Sequence, residues 1–315
     1  MPQSPSAQSA TATVGGVPAT IPDIPICAVF LALYAGFAAT NMTIFRMNLQ
    51  RGHKFVLSAL LFGFCMARLT TLVLRIVWST IPHNTSLAIA AGIFVNAGIL
   101  LVYITNIILS QRILRAKHPR LGWNPVLRAG YKVLYGLIVG ALAMVITSVV
   151  LSMKTTNLHI KLQCRDVQLA AITYLLVFTC VPLMHLAAAF LLPRSADEES
   201  FGQGSMASKS LIVGLSTCIC ILIAGFKCGT AWSPPRPASH PAWFHSKASF
   251  YVFNFACEIL ALALLTFSRF DRRFHVPNGC KGPGDYTRLA GEPEKPPQSD
   301  GHDEAFASIT RKTSQ

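Results

Sequence analysis

The stretch FVLSALLFGFCMARLTTLVLRIVW, residues 55–78, is long enough to cross a bilayer, yet it carries two arginines, Arg68 and Arg75. A charged side chain at the bilayer centre costs at least roughly 2.5–3.5 kcal/mol. It persists when it faces protein, pairs with an acid, or reaches out to the interface. The two arginines lie seven residues apart, which is two helical turns, so they share one face of the helix. That face has to meet other membrane helices.

Six further apolar runs supply them, at 24–45, 87–110, 131–153, 167–192, 210–232 and 249–270. Each exceeds the about 20 residues that one crossing needs. The expected architecture is an all-α membrane protein, a bundle of seven transmembrane helices. Composition agrees: of 315 residues, 52% are hydrophobic and 13% charged, and the mean hydropathy is +0.47. The formal charge of +14 does not indicate nucleic acid, because no soluble region interleaves basic and aromatic residues.

Topology explains that charge. One set of loops holds Arg46, Arg51 and Lys54, then six basic residues from Arg112 to Lys132, then Arg194 and Lys209, then Arg269, Arg272 and Arg273. The other set holds only Lys154, Lys161, Arg165, Arg236 and Lys247. The positive-inside rule therefore places the N-terminus outside and the C-terminus in the cytosol, with the plasma membrane as the expected location. Trp78, Trp232 and Trp243 would form an aromatic belt at the outer interface. Residues 1–23 contain no Lys or Arg, unlike a signal peptide, and read as a disordered extracellular tail before a retained first span. Residues 271–315, rich in Pro, Gly and charge, read as a disordered cytosolic tail.

Depth along the helices suggests a site. Arg68 lies ten residues below Trp78, about 15 Å, and Glu258, the only acid inside any of the runs, lies nine residues below Ser249, about 14 Å. Asn96 falls at the same level in the third span. These three residues are read as a buried polar layer, which either binds a ligand or simply fixes the packing of spans two and seven. Arg75 and Lys227 sit close enough to Trp78 and Trp232 to snorkel outward. A retinal-binding lysine would stand in the middle of span seven, where this chain has Glu258. His185, three residues after Pro182, reads as a packed, hydrogen-bonded histidine.

No catalytic constellation is found, so neither an enzyme nor a cofactor is expected. The Cys218-x-Cys220 pair has no second pair, so no metal site is expected. The nine cysteines read mostly as small buried hydrophobes, with Cys164 and Cys228 as a candidate disulfide on the oxidising face. Asn84 heads an outward-facing sequon, a candidate glycosylation site in a tight loop, whereas the sequon at Asn41 is inside a span. Gly136 and Gly140 form a GxxxG motif suited to close helix packing.

Several stretches occur together and in order. They are Arg51-Gly-His-Lys-Phe, LFGFCMAR ending at Arg68, RIVW ending at Trp78, PPRP at 234–237, PAWFHSKASFYVFNFACE ending at Glu258, and DRRFHVPNG at 271–279. Over residues 24–280 the chain resembles a functionally undefined family of fungal seven-span membrane proteins labelled family-C-like G-protein-coupled receptors. The resemblance implies an orphan receptor-like sensor. The large extracellular ligand domain usual in family C is not matched by the 23 residues before span one. The Asp-Arg-Tyr and Asn-Pro-x-x-Tyr switch motifs of family A have no counterpart either, so a ligand would be small or lipophilic and bind within the bundle. Arg112, Arg115, Lys117 and Arg120 would then contact a G protein or another acidic cytosolic partner, or anionic headgroups. Competing readings are a lipid translocator or transporter, similar in outline to fungal lipid-translocating exporters, and a structural membrane protein.

Overall fold

A computed structural model describes residues 12–288 of the chain. Seven helical spans cross the molecule in alternating directions. They are α1 (Thr20–Gln50), α2 (Val56–Thr80), the paired α3 (Thr85–Ala97) and α4 (Leu100–Lys117), then, after the single-turn α5 (Pro119–Gly122), α6 (Pro125–Lys154), α7 (Leu158–Leu191) and α8 (Met206–Trp232). The seventh span runs from α9 (Lys247–Tyr251) through a π-helical turn at Val252–Ala256 into α10 (Cys257–Phe267). Two single turns, α11 (Phe270–Arg273) and α12 (Asp285–Arg288), close the opposite end. Among the described residues there is no strand.

The expected spans are all present, and most outrun their apolar runs because polar caps start them early. Asn84, Asn124, Asn157 and Ser205 each accept backbone N–H groups at the starts of α3, α6, α7 and α8, and Pro125 occupies the first turn of α6.

Burial fixes the order of packing. In α2 the buried residues Leu57, Leu61, Phe64, Arg68, Thr71 and Arg75 recur at helical spacing, so the arginines belong to the inward stripe. α4 is buried nearly all round and forms the centre of the bundle. α6 instead turns Val133, Leu137, Val139 and Met144 outward. Large apolar side chains facing outward on membrane-length helices make this an integral membrane protein in contact with lipid. Gly136 and Gly140 lie on the same outward side, where a Cβ would meet nothing within 4 Å. The GxxxG motif therefore does not pack helices within this chain.

Both tails depart from expectation where they are described; residues 1–11 and 289–315 lie outside the described residues. On the face that carries the N-terminus, the amide of Ala12 donates to Arg236 O and that of Gly15 donates to His245 O, so this segment folds over the end of the bundle. On the C-terminal face, the Asn278 amide donates to Gly52 O at 2.8 Å and the buried ring of Tyr286 packs on Phe201 and Trp123. Pro- and Gly-rich composition suggested disorder here. Local backbone partners and one buried aromatic outweigh it.

Candidate functional site

Arg68 and Glu258 meet in the interior. The guanidinium Nη2 donates to Glu258 Oε1 at 2.6 Å and Nε lies 2.5 Å from Oε2, with both side chains fully buried. Two interruptions of regular helix frame the pair. The third span breaks between α3 and α4 at Gly98, and Arg68 Nη1 donates to the carbonyls of Phe94 (3.2 Å) and Val95 (3.0 Å) at that break. A Cβ at Gly98 would just touch Ala67 Cβ and Arg68 Cζ, each at 3.4 Å, so a side chain larger than alanine would crowd them. In span seven the π turn immediately precedes Glu258, and Tyr34 OH donates both to Phe255 O (3.2 Å) and to Glu258 Oε2 (3.3 Å). Single π turns inside α-helices are frequent at functional sites. Phe64 and Phe255 place their rings 5.4 and 5.8 Å from the Arg68 guanidinium carbon.

Asn96 does not join the layer. Its Nδ2 donates back to Gly92 O one turn earlier, on an exposed side of α3. It lines the cavity described below and does not reach the ion pair.

Arg75 corrects a second expectation. Rather than snorkelling, it is 4% exposed and pairs with Asp23 at 3.2 Å. Tyr251 OH donates to Asp23 Oδ1 at 2.6 Å, and Lys247 Nζ also pairs with Asp23. Phe250 stacks beneath the guanidinium at 4.0 Å. Asp23 escaped notice because the first apolar run begins at residue 24. The helix begins at Thr20, with Asp23 accepting the amide of Ala19 as an acid in the first turn. Arg75 Nη2 also donates to Gly15 O at 3.3 Å and thereby holds the N-terminal segment in place.

Between these two networks lies a cavity of about 720 Å³ near the N-terminal face. Its walls are mostly apolar, with Val145, Val149, Ile172, Leu175 and Phe226 among them, and residues Ala12–Val14, Gly16 and Val17 line its outer end. Its polar groups include Lys227, Tyr103, Asn96 and Gln168. Lys227 does not reach for the interface as expected. Its Nζ donates to Val95 O at 3.1 Å, and it forms no ion pair among the described residues. The buried Tyr103 hydroxyl has no hydrogen-bond partner among the described residues. A phenol inside an apolar run signals a need for a partner, and that cue was available for both Tyr34 and Tyr103.

The other candidates lie elsewhere. His185 is held between Ser110 Oγ on Nδ1 and Tyr131 OH on Nε2, each at 2.8 Å, a packed histidine joining α4, α6 and α7. Cys164 and Cys228 are both buried free thiols, and Cys228 Sγ lies 3.9 Å from Thr173 Oγ1, so no disulfide links them. Asn84 is exposed, with its Oδ1 engaged in capping α3.

The basic residues of the second C-terminal-side loop are mostly satisfied internally. Arg112 Nη1 donates to Phe274 O at 2.5 Å, Arg115 Nε donates to Gly122 O at 3.3 Å over the Trp123 ring, and Lys117 pairs with Glu198 at 3.4 Å. Arg120, Arg128 and Lys132 are exposed, and Arg120 pairs with Asp197. The acids at 197–199 lay too far along the sequence to be matched with that loop by inspection. Near this face, burial pushes the Cys280 thiol up to about 11, while the amides of Lys281 and Gly282 hold the Asp285 carboxyl below its ordinary value.

No protein-family model matches the chain, and no curated protein or solved structure shows significant similarity to it.

Proposed function

We propose that this protein is a receptor-like membrane sensor that binds a lipophilic small molecule with a polar, preferably anionic, head in the cavity near its N-terminal face. The observation that carries this reading is the pairing of apolar walls with two polar groups whose bonding capacity is unfilled among the described residues, Lys227, which donates to Val95 O but forms no ion pair, and Tyr103, whose hydroxyl has no hydrogen bond. Apolar contacts would hold the body of such a molecule, and Lys227 and Tyr103 would orient its head. The distribution of Lys and Arg supports an N-terminus outside, which would give the cavity access from the outer side of a plasma membrane. The internal use of Arg112, Arg115 and Lys117 argues that any signal passes to the C-terminal face through helix packing. Of the four basic residues assigned to a cytosolic partner, Arg120 is the one exposed for direct contact.

The test uses purified protein in neutral nanodiscs and dansyl-undecanoic acid as the probe. Saturable binding is expected, with loss in Gly92→Phe, whose side chain would enter open space at the cavity wall. Lys227→Met should weaken binding by about tenfold, the effect of losing one charged hydrogen bond. Binding that is non-saturable or unchanged by both substitutions rules the reading out. Flipping of labelled lipid by the reconstituted protein would favour the translocator instead.

A further inference from the structure

A second cavity, of about 280 Å³, opens on the C-terminal face, remote from the first. Its lining includes Lys54, Arg112 and Arg115 together with Gln111, Trp123 and residues 276–280. None of its lining residues is Asp or Glu, and its three cations form no ion pair among the described residues. The nearby acids are committed elsewhere: Glu199 accepts the amides of Gly284 and Tyr286, and Asp285 accepts those of Lys281 and Gly282.

One side-chain donor of this wall is unused. The buried indole Nε1 of Trp123 has no acceptor among the described residues. Positive charges held together at a half-enclosed site repel one another, and the unsatisfied buried indole N–H adds a desolvation cost. A single group relieves both: a small, multiply charged anion rich in acceptors.

We propose that this cavity is a binding site for a phosphate group, contacted by Lys54, Arg112 and Arg115 and by the Trp123 N–H. Arginine guanidiniums suit phosphate because their fixed forks meet its oxygens in pairs. The group belongs to a soluble phosphate or to the headgroup of an anionic lipid, since Lys54 is exposed at the rim. The proposal is independent of the ligand cavity on the opposite face.

The experiment follows thermal unfolding of the full-length protein in two settings. In a neutral detergent, inorganic phosphate is titrated against chloride at matched ionic strength. In nanodiscs, phosphatidylcholine alone is compared with phosphatidylcholine containing phosphatidic acid. A saturable rise in melting temperature with phosphate assigns the site to a soluble anion. A rise confined to phosphatidic acid assigns it to a headgroup. In either case Lys54→Gln should weaken the apparent affinity about tenfold. Trp123→Phe, which keeps the ring over Arg115 and removes only the N–H, should weaken it as well. The proposal fails if neither anion stabilises the protein, or if both variants respond as wild type does.

Discussion

Arg68 is the residue on which the interior turns, and its energetics are asymmetric. A buried ion pair adds little over well-packed hydrophobic residues, but removing one partner strands the other charge. Glu258→Gln should therefore destabilise the protein by about 3–5 kcal/mol, whereas Arg68→Met combined with Glu258→Leu should recover most of that loss. Denaturant unfolding in one detergent compares the two directly. Exchanging the charges between positions 68 and 258 is expected to restore less, because Arg68 also donates to Phe94 O and Val95 O, which an arginine on α10 would forfeit. The sequence revealed this pair because arginine and glutamate in apolar runs are conspicuous and their depths can be counted from the ends. It did not reveal that Asp23 serves Arg75, since that acid stands just before the first residue of the run. Nor did it reveal that Asn96 faces the cavity and not the ion pair, since depth along a helix says nothing of the direction in which a side chain points.

At the scale of elements, the two irregular stretches matter most: the break between α3 and α4, and the π turn ahead of α10. Both place unpaired or re-aimed carbonyls around the ion pair, at Val95 and Phe255. Such breaks are tolerated at membrane depth only where protein groups satisfy the freed backbone. Gly98→Val should then cost about 1–3 kcal/mol, as overpacking does, by pushing α3 away from Ala67 and Arg68. Loss of wild-type thermal stability is the readout, and an unchanged melting curve would contradict the close approach. Neither irregularity was legible beforehand. Hydropathy reports that a segment can span the membrane, but a single displaced hydrogen bond leaves the apolar pattern intact. The seven spans, by contrast, were legible in full, because length and apolarity alone select them.

For the whole molecule, the two ends are built differently. The N-terminal face gathers a large apolar cavity under a segment tied down by Gly15 O and Asp23. The C-terminal face is crossed by residues 276–288, which Glu199 fastens through the amides of Gly284 and Tyr286, each at 2.8 Å. Glu199→Ala should free this strap while leaving the spans intact. Hydrogen exchange within 281–288 is then expected to rise strongly while α4 and α10 stay protected. Equal exchange in both proteins would show that Glu199 does not hold the strap. Composition misjudged this strap because disorder-prone residues were weighed without the buried carboxylate that receives their amides.

The carbonyl of Val95 accepts from Arg68 and from Lys227 at once. One oxygen is thus shared by the wall of the cavity and by the ion pair that joins spans two and seven. A ligand head that drew Lys227 toward itself would leave those lone pairs to Arg68 and bind the third span more firmly to the second. Thermodynamic reciprocity then applies: whatever factor the ligand contributes to that helix contact, the helix contact returns to the ligand's affinity.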